Sequence, residues 1–340
     1  MKIFILGDFM LGRYIYPILN RKELKKYLEK VSFKWKDEIA IANLETPLIK
    51  GHFTPQKKIN PLGVNENIVK QISKTNISAF SLANNHICDF GSDGLQNTIY
   101  QLEKNKIGFF GAGKNLELAS KPFIFKKNNL SVGFLAFSYA NIAAKDKAGT
   151  ADLYSPIIFN QVKELKSYVD YVIVINHTGI ELLKYPLPRD QKIFRKIVDF
   201  GADLVVGSHS HCIQTMENYI GKKIYYGISD LVYDSFSERT WKKYWIGDAH
   251  PKLFNIPSSK EQTKYSLIIE INCHKNDIDV RHHPVYSGGK IGPSFLKGKD
   301  LSKWNEKFQN DCNYIKLDKM NKDNLYNIER AVLSKINKQC

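Results

Sequence analysis

The sequence predicts an α/β protein in which two sheets are sandwiched between layers of helices. In the first two thirds of the chain, short and nearly continuous apolar strands alternate with helical segments, which is typical of βα units with buried parallel strands. From Cys212 onward the pattern changes to paired strands, which is typical of antiparallel pairing. With 340 residues, 43% of them apolar, the chain can bury a substantial core.

The predicted elements follow one another at short intervals. The first strand covers residues 2–7, and the helix at 21–31 has apolar residues at helical spacing. Residues 127–129 predict a hairpin turn between two strands, and Gly201 predicts the end of the helix at 188–200. Further strands are predicted at 38–43, 77–83, 107–110, 122–127, 131–138, 171–176, 203–207, 212–217, 223–226, 265–272 and 277–284, and further helices at 65–74, 94–105, 160–168, 301–308 and 324–338.

The composition predicts how the chain is organised and where it resides. After about residue 290 the chain becomes rich in Lys and Asn, so we expect a main domain at 1–289 and a helical appendage at 290–340. Residues 239–264 are aromatic and irregular, which predicts a long covering or functional loop. No apolar run is long enough for a signal peptide or a membrane span, and five scattered cysteines lack CxxC spacing. We therefore expect a cytoplasmic protein with reduced thiols, whose contact with a membrane, if any, is peripheral.

The net charge of +16 favours anionic partners such as phosphates or polyanions. The lysines are spread through the chain beside Asn and Ile, however, and a biased codon usage produces the same pattern. No zinc-finger, basic-region or base-stacking signature is present, so we predict no specific nucleic-acid partner.

Polar side chains follow several predicted strands at the points where the strands end. Because the carboxyl ends of strands in α/β sheets line the functional crevice, we expect these side chains to lie together. Oxygen and imidazole donors without thiolates suit two divalent cations such as Mn²⁺, Fe²⁺ or Zn²⁺, and not a structural zinc site. The residues are Asp8, Glu45, Asn85, His86, His177, His209 and His211.

Each of these residues alone has an ordinary explanation. Asp8 alone is more often a helix cap or turn residue, and a lone His177 is more often a hydrogen-bonded core histidine. Their joint placement is what favours a metal site. If the segment at 209–211 is extended, His209 and His211 aim both rings at one face, and Cys212 points to the other.

Six stretches of the chain carry a resemblance to a known family. They are GDFMLGR (7–13), IANLETPL (41–48), SLANNHICDFGSDGLQNT (81–98), GAGKNLELA (111–119), NHTGIELLKYP (176–186) and GADLVVGSHSHCIQTMENYIGKKIYY (201–226). In this order they resemble the poly-gamma-glutamate capsule biosynthesis (CapA-like) family, over about residues 1–235. That family belongs to the calcineurin-like metallophosphoesterase superfamily. The resemblance implies a four-layer α/β/β/α sandwich with a two-metal centre.

The resemblance also implies roles for the residues. Asp8 and His211 would serve the first metal, and Glu45 would bridge to the second. The ligands of the second metal would be Asn85, His177 and His209.

By the same resemblance, His86 stands where the superfamily keeps its general acid, and Asp89 would orient it. Arg13, on the loop after Asp8, would hold an anionic group. The implied function is a metal-dependent hydrolase, a phosphoesterase acting in bacterial capsule or surface-polymer biosynthesis, in which two cations activate a water and His86 protonates the leaving oxygen.

The chain departs from the patterns of the superfamily and the family at three places. The wider superfamily opens with Asp-x-His, whereas Phe9 and Met10 follow Asp8 here, so one ligand of the first metal is missing, an absence that the CapA-like family shares. The usual Gly-Asn-Phe after the late strand is replaced within residues 228–231, and the usual Trp after the third-strand His is Thr178. Family members tied to polymer export carry a membrane anchor, which we do not find in this sequence.

Two other functions stay open at this point. One is a non-catalytic accessory subunit that binds a polyanion through its basic surface and assists capsule-synthesis proteins. The other is amide hydrolysis or transfer on a glutamyl polymer, with the same metal centre.

Overall fold

The computed structural model describes residues 1–12, 23–58, 61–232, 262–287 and 292–316, which form a mixed α/β structure. The strands are β1 (Lys2–Phe9), β2 (Ile39–Leu44), β3 (Leu48–Ile49), β4 (Val64–Asn65), β5 (Ala79–Ser81), β6 (Gly108–Phe110), β7 (Ala112–Gly113), β8 (Phe123–Lys127), β9 (Leu130–Ser138), β10 (Gly149–Thr150), β11 (Tyr171–His177), β12 (Leu204–Ser208), β13 (Met216–Tyr219), β14 (Lys222–Tyr225), β15 (Asp230–Val232), β16 (Tyr265–Cys273), β17 (Ile278–Tyr286) and β18 (Ser294–Phe295). The α-helices are α1 (Leu24–Ser32), α2 (Val69–Ile72), α3 (Gly91–Lys104), α4 (Leu116–Ala119), α5 (Ile157–Lys166), α6 (Pro188–Asp199) and α7 (Gly298–Lys316).

Two large sheets carry the fold. The first sheet has the order β18-β17-β16-β1-β2-β5-β6, and β15 also pairs with β1. Its strands β1, β2, β5 and β6 run parallel, so the ends of β1, β2 and β5 lie at one edge. The second sheet has the order β13-β14-β12-β11-β9-β8 and is parallel across β9, β11, β12 and β14.

Three buried apolar clusters separate four layers. One cluster joins the first sheet to α1 and α3 and includes Leu28. A second lies between the two sheets, where Ile5 and Ile173 belong to the same cluster. The third joins the second sheet to α5 and α6 and contains Val174 and Phe194. The layer order is therefore α/β/β/α, and the predicted fold class is confirmed.

Local signals in the sequence account for several element ends. α1 buries Leu24, Leu28 and Val31, which is the predicted apolar spacing. Asn128 and Asn129 both have positive φ, as the short turn of a hairpin requires. Helix α6 starts with Pro188 and is followed by Gly201 at a φ of 115°, a conformation that glycine adopts without strain.

Some predicted elements differ from the structure. The helix expected at 65–74 is a 3₁₀ turn, Glu66–Ile68, followed by the single-turn α2. The strand expected at 212–217 begins only at Met216, because the preceding residues turn back and Gln214 pairs its backbone with Gly227. The short strand β15 was not predicted.

The C-terminal region is described in part. Helix α7 contains the helix predicted at 301–308, and its Phe308 and Cys312 are buried against the inter-sheet cluster. The helix predicted at 324–338 and nearly all of the loop predicted at 239–264 lie outside the described residues. The division into domains at residue 289 stays a prediction.

Two further predictions concern the membrane and the thiols. Among the helices of the described residues, none has the length and apolar character that crossing a membrane requires. Within the same part of the chain, four cysteines form no disulfide: Cys88, Cys212, Cys273 and Cys312.

Candidate metal centre

Side chains from the ends of both sheets meet at the edge where parallel strands finish. Three overlapping groups of ligand atoms lie within 4.8 Å of one another. The groups are Glu45, His177 and His209; Glu181, His209 and His211; and Asp8, Glu45, His211 and Asp230. All of their members except Glu181, which is half-buried, are buried.

One side of the site is rich in nitrogen. The Nε2 atom of His177 lies 2.8 Å from Asn85 Oδ1 and 3.2 Å from His209 Nδ1. The same atom lies 3.4 Å from Glu45 Oε1. Two imidazoles, one amide oxygen and one carboxylate therefore come together on this side, and they include the residues that the sequence analysis named for the second metal.

The other side is rich in oxygen. The Nδ1 atom of His211 lies 2.9 Å from Asp230 Oδ1, and its Nε2 atom lies 4.0 Å from Glu45 Oε1. Asp8 stands beside them, where its oxygens accept hydrogen bonds from Asn43 Nδ2 at 2.7 Å and from the backbone of His209 at 3.2 Å. Glu45 belongs to both sides, which is the position expected of a bridging ligand.

The segment that carries His209 and His211 is not extended, so that expectation was wrong. Both residues have positive φ, at 87° and 50°, and Ser210 Oγ donates a hydrogen bond to the carbonyl oxygen of Cys212. Non-glycine residues in this region are uncommon and concentrate at functional sites. The turn nevertheless brings the two rings to a centroid distance of 6.0 Å. Cys212 points elsewhere, and its Sγ atom contacts the carbonyl of Leu183.

Three buried carboxylate oxygens in this site lack hydrogen-bond partners among the described residues. They are both carboxylate oxygens of Glu45 and the Oδ2 atom of Asp230, and both side chains are fully buried. A buried carboxylate without partners is costly unless a cation compensates it. The donor set therefore fits divalent cations, with oxygen and imidazole nitrogen as ligands.

The pKa shifts of the buried side chains also indicate that the site lacks positive charge. Burial, reinforced by the neighbouring Glu45, raises the pKa of Asp8 to about 7, and burial also raises that of Glu45 to about 7. Burial lowers the pKa of His177 to about 4 and holds that of His209 well below its usual range. Burial also opposes a charge on His211, but Asp230 and Glu45 outweigh it and raise its pKa well above the usual value.

A second group of side chains lies beside the centre. His86 Nδ1 is 2.6 Å from Asp89 Oδ2, and Lys58 Nζ donates to Asp89 Oδ1 at 2.7 Å. Lys58 also donates to the backbone oxygen of Asn85 at 2.7 Å. Burial lowers the pKa of His86, and the nearby Lys58 acts in the same direction. The predicted contact between Asp89 and His86 is present.

The structure adds site residues that the sequence analysis missed. Asp230 follows an apolar run, as the predicted ligands do, so the same strand-end rule could have found it. Glu181 lies four residues after His177, within a stretch that carried the resemblance. No pattern in the sequence indicates Lys58, because it lies in a loop and its contact with Asp89 forms only when the chain is folded. Arg13, predicted to hold an anionic group, lies outside the described residues.

The layered sheets and the cluster at their shared edge define a four-layer α/β/β/α protein with a candidate metal centre. Within that class the chain can be assigned more closely. Residues 2–235 match the family model described as "Bacterial capsule synthesis protein PGA_cap", and the chain belongs to that family. The predicted resemblance, over about residues 1–235, is confirmed.

Curated relatives agree with this assignment. The chain is 31% identical over 244 residues to "PGA biosynthesis protein CapA" of Bacillus subtilis and 29% identical over 248 residues to "Capsule biosynthesis protein CapA" of Bacillus anthracis, in each case over 69% of this chain. It is 29% identical over 213 residues, 58% of this chain, to a Mycobacterium tuberculosis protein named "Probable polyglutamine synthesis accessory protein". The matches span 63%, 60% and 56% of these relatives' own lengths, so this chain covers less than two thirds of each.

Proposed function

We propose that this chain is a metal-dependent hydrolase of phosphoesters that acts in the biosynthesis of a bacterial capsule or surface polymer. The observation that carries the proposal is the set of buried, unpartnered oxygens on Glu45 and Asp230, two carboxylates that contribute to one group of ligand atoms with Asp8 and His211. Such a site is arranged to hold cations rather than to pack a core.

Two divalent cations, Mn²⁺, Fe²⁺ or Zn²⁺, would be held by the predicted ligands. Asp8 and His211 would serve the first, and Asn85, His177 and His209 would serve the second, since the His177 nitrogen contacts the other two side chains. Glu45 would serve both, because its carboxylate lies near both His177 and His211. When bound, such cations acidify water and offset negative charge on a phosphoryl group.

Residues beside the centre would handle the proton and the substrate charge. His86 follows the amide ligand directly, and Asp89 holds its Nδ1 atom at 2.6 Å, so the other ring nitrogen is left for a reacting oxygen. Lys58, about one third exposed, sits against the same pair and can face an anionic group that enters. In this arrangement a His86 ring that carries protons on both nitrogens would keep its Nδ1 proton on Asp89 and pass its Nε2 proton to the oxygen that leaves.

The polymer context comes from the family. The two Bacillus relatives are named for PGA and capsule biosynthesis, and the mycobacterial relative is named for polyglutamine synthesis. We extend that context to this chain as part of the proposal, with a phosphoester of the polymer pathway as substrate class.

The test combines metal content with hydrolysis. The protein is stripped with chelator and reloaded with Mn²⁺, its metal is counted by mass spectrometry, and turnover of a chromogenic phosphodiester is measured. The wild type is expected to hold two cations and turn over the ester. The His209→Ala variant is expected to lose one cation and at least about 100-fold in rate.

The matched control is His283→Ala, because His283 lies on β17 and its Nε2 atom contacts Glu270 at 2.7 Å rather than the site. It should keep both cations and the full rate. Activity that survives metal loss in His209→Ala would refute the two-metal role, and two tight cations without turnover would refute the hydrolase.

A second function, binding of a polyanion as an accessory subunit, is favoured by one specific observation. A cavity of about 620 Å³ lies between α7 and the edge of the first sheet, and lysines and aromatic rings line it together. Among its lining residues are Lys303, Lys307, Tyr265 and Trp304. This cavity can hold part of an anionic chain whether or not the metal centre turns over.

A further inference from the structure

We infer that Asp230 is itself a metal ligand in this chain, which makes the two halves of the centre chemically different. With Asp230 the first half offers three carboxylates and one imidazole, and it suits a hard cation such as Mn²⁺. The second half, with two imidazoles and an amide, suits Zn²⁺ or Fe²⁺. The inference rests on the metal centre of the proposed function but not on its reaction.

The fold places Asp230 in the centre through backbone pairing. Strand β15 runs parallel to β1, and Asp230 is the partner of Asp8 in the register. The backbone nitrogen of Asp8 also donates to the carbonyl oxygen of Ser229 at 3.1 Å. A Cβ atom on Gly7 would lie 2.1 Å from that oxygen, so glycine is what permits this close approach. The carboxylate of Asp230 is therefore held beside Asp8 by the sheet itself.

One carboxylate oxygen of Asp230 has a hydrogen-bond partner among the described residues, and the other has none. Its Oδ1 atom lies 2.9 Å from Nδ1 of His211, which is how a carboxylate orients a metal-binding histidine. Its Oδ2 atom is buried and has no hydrogen-bond partner in the described part of the chain. Orienting His211 needs only the first oxygen, so the second is available as a ligand, on a carboxylate that contributes an atom within 4.8 Å of ligand atoms on Asp8, Glu45 and His211.

Charge supports a ligand role over a purely structural one. Asp8, Glu45 and Asp230 are all fully buried and adjacent. In the described residues, the ion pairs of Glu45 and Asp230 are with imidazoles, and no Lys or Arg forms one with any of the three; Lys58, the ammonium beside the centre, pairs with Asp89 instead. Three buried carboxylates at such distances repel one another unless a cation lies among them.

Asp230 also compensates for a departure seen in the sequence. The histidine that the wider superfamily has two residues after its first Asp is Met10 here, so one first-metal ligand is missing. Asp230 approaches the same group of ligand atoms from a neighbouring strand. An oxygen ligand therefore joins a half of the centre that lacks one nitrogen ligand, which shifts the preference of this half toward hard cations.

The test compares cation binding by the wild type and by Asp230→Asn. Asparagine keeps an oxygen that can accept from His211 but removes the charge. Mn²⁺ and Zn²⁺ are titrated by calorimetry into chelator-stripped protein, and bound Mn²⁺ is observed by electron paramagnetic resonance. We expect Asp230→Asn to bind Mn²⁺ at least about tenfold more weakly and to bind its first Zn²⁺ within about threefold of the wild type.

The matched control is Asp203→Asn, the same change at a buried aspartate on the opposite end of β12, where Lys166 and Lys222 contact it at 2.8 Å. It should leave both titrations unchanged. Folding is checked by the melting temperature in chelator, which should be equal or higher in Asp230→Asn because one buried charge is gone.

The outcomes separate this inference from the proposed function. Wild-type affinity for Mn²⁺ in a folded Asp230→Asn protein overturns the ligand role, even if His209→Ala abolishes activity as proposed. Equal loss of Mn²⁺ and Zn²⁺ affinity also overturns it, since that is the result of a displaced His211. Selective loss of Mn²⁺ supports it, even if the wild type hydrolyses no phosphoester.

Discussion

Asn84 shapes the turn that carries the amide ligand and the histidine after it. Its side-chain nitrogen donates to Asn43 Oδ1 at 3.1 Å and to the carbonyl oxygen of Leu44 at 2.9 Å. Its side-chain oxygen accepts from the backbone nitrogens of His86 at 3.0 Å and Ile87 at 2.9 Å. The first asparagine of the pair is thus structural, and it ties the end of β5 to the end of β2.

We predict that Asn84→Ala destabilises the protein by about 2–4 kcal/mol, because buried backbone groups lose their partners. The measurement is urea unfolding in chelator, followed by Mn²⁺ titration of the folded variant. The matched change is Asn272→Ala, whose side chain makes one contact of 3.5 Å with Glu270, and it should cost less than about 0.5 kcal/mol. Equal stability of the two variants would show that the turn does not depend on Asn84.

At the scale of single residues, the sequence locates the candidate ligands better than the residues that position them. Asp8, Glu45 and His177 are visible because each follows a buried strand, and parallel strands end at one edge. Asn43 and Lys58 are not visible as partners, because their contacts join residues that lie far apart in the chain. The positive φ of His209 and His211 could not be predicted either, since it depends on the packing around the turn.

Among the elements, helix α7 is held against the two sheets by an aromatic cluster around His282. The ring of His282 lies 5.2 Å from Phe308 and 6.1 Å from Trp304, and its Nδ1 atom is 3.1 Å from the hydroxyl of Tyr225. Burial lowers the pKa of His282 to about 4, and Lys223 and His283 act in the same direction. His282 is therefore packed in its neutral form between β14, β17 and α7.

This burial predicts a dependence of stability on pH. Between about pH 6.5 and 4 the unfolded chain binds the His282 proton and the folded chain does not, so stability is complete above this window and falls as the pH decreases. The loss from this group is at most about 3 kcal/mol. Between pH 8 and pH 5, His282→Phe should lose less free energy of unfolding than the wild type, and the difference should be part of that amount.

The measurement is urea unfolding of both proteins in chelator at pH 8, 6.5 and 5. Tyr225→Phe is the control, because it removes the hydroxyl partner of His282 but keeps the His282 ring buried. Its free energy of unfolding should depend on pH as that of the wild type does. The same dependence in His282→Phe would contradict the prediction.

At the scale of elements, long periodic segments are predictable and short ones are not. Strands β9 and β11, and helices α3 and α6, follow their predicted positions within a few residues, since their apolar patterns are continuous. Strand β15 has three residues and pairs with β1 only because residues 226–229 bring it there. Its position depends on tertiary contacts, which a local pattern does not contain.

Over the whole molecule, the metal centre and the lysine-lined cavity are linked along the chain. Lys184 and Ile213, which line the cavity, follow His177 and His211 by seven and two residues. Tyr265, also in the lining, begins β16, which runs antiparallel to β1 and so begins towards the end of β1 that carries Asp8. The cavity and the candidate metal centre therefore lie towards the same end of β1.

The net charge of +16 alone does not distinguish this cavity from the rest of the surface, so the prediction compares two lysine pairs. Lys303 and Lys307 lie one turn apart on α7 beside Trp304, whereas Lys163 and Lys192 are exposed on α5 and α6. Changing either pair to Glu alters the net charge equally. We expect Lys303→Glu/Lys307→Glu to weaken binding of a fluorescent poly-gamma-glutamate chain at least about tenfold, and Lys163→Glu/Lys192→Glu less than about threefold.

Binding is measured by anisotropy at 0.05 and 0.3 M salt, since only a charge-based contact weakens steeply over that range. An equal loss in both double variants would mean that the polymer binds the overall charge of the protein and not this cavity.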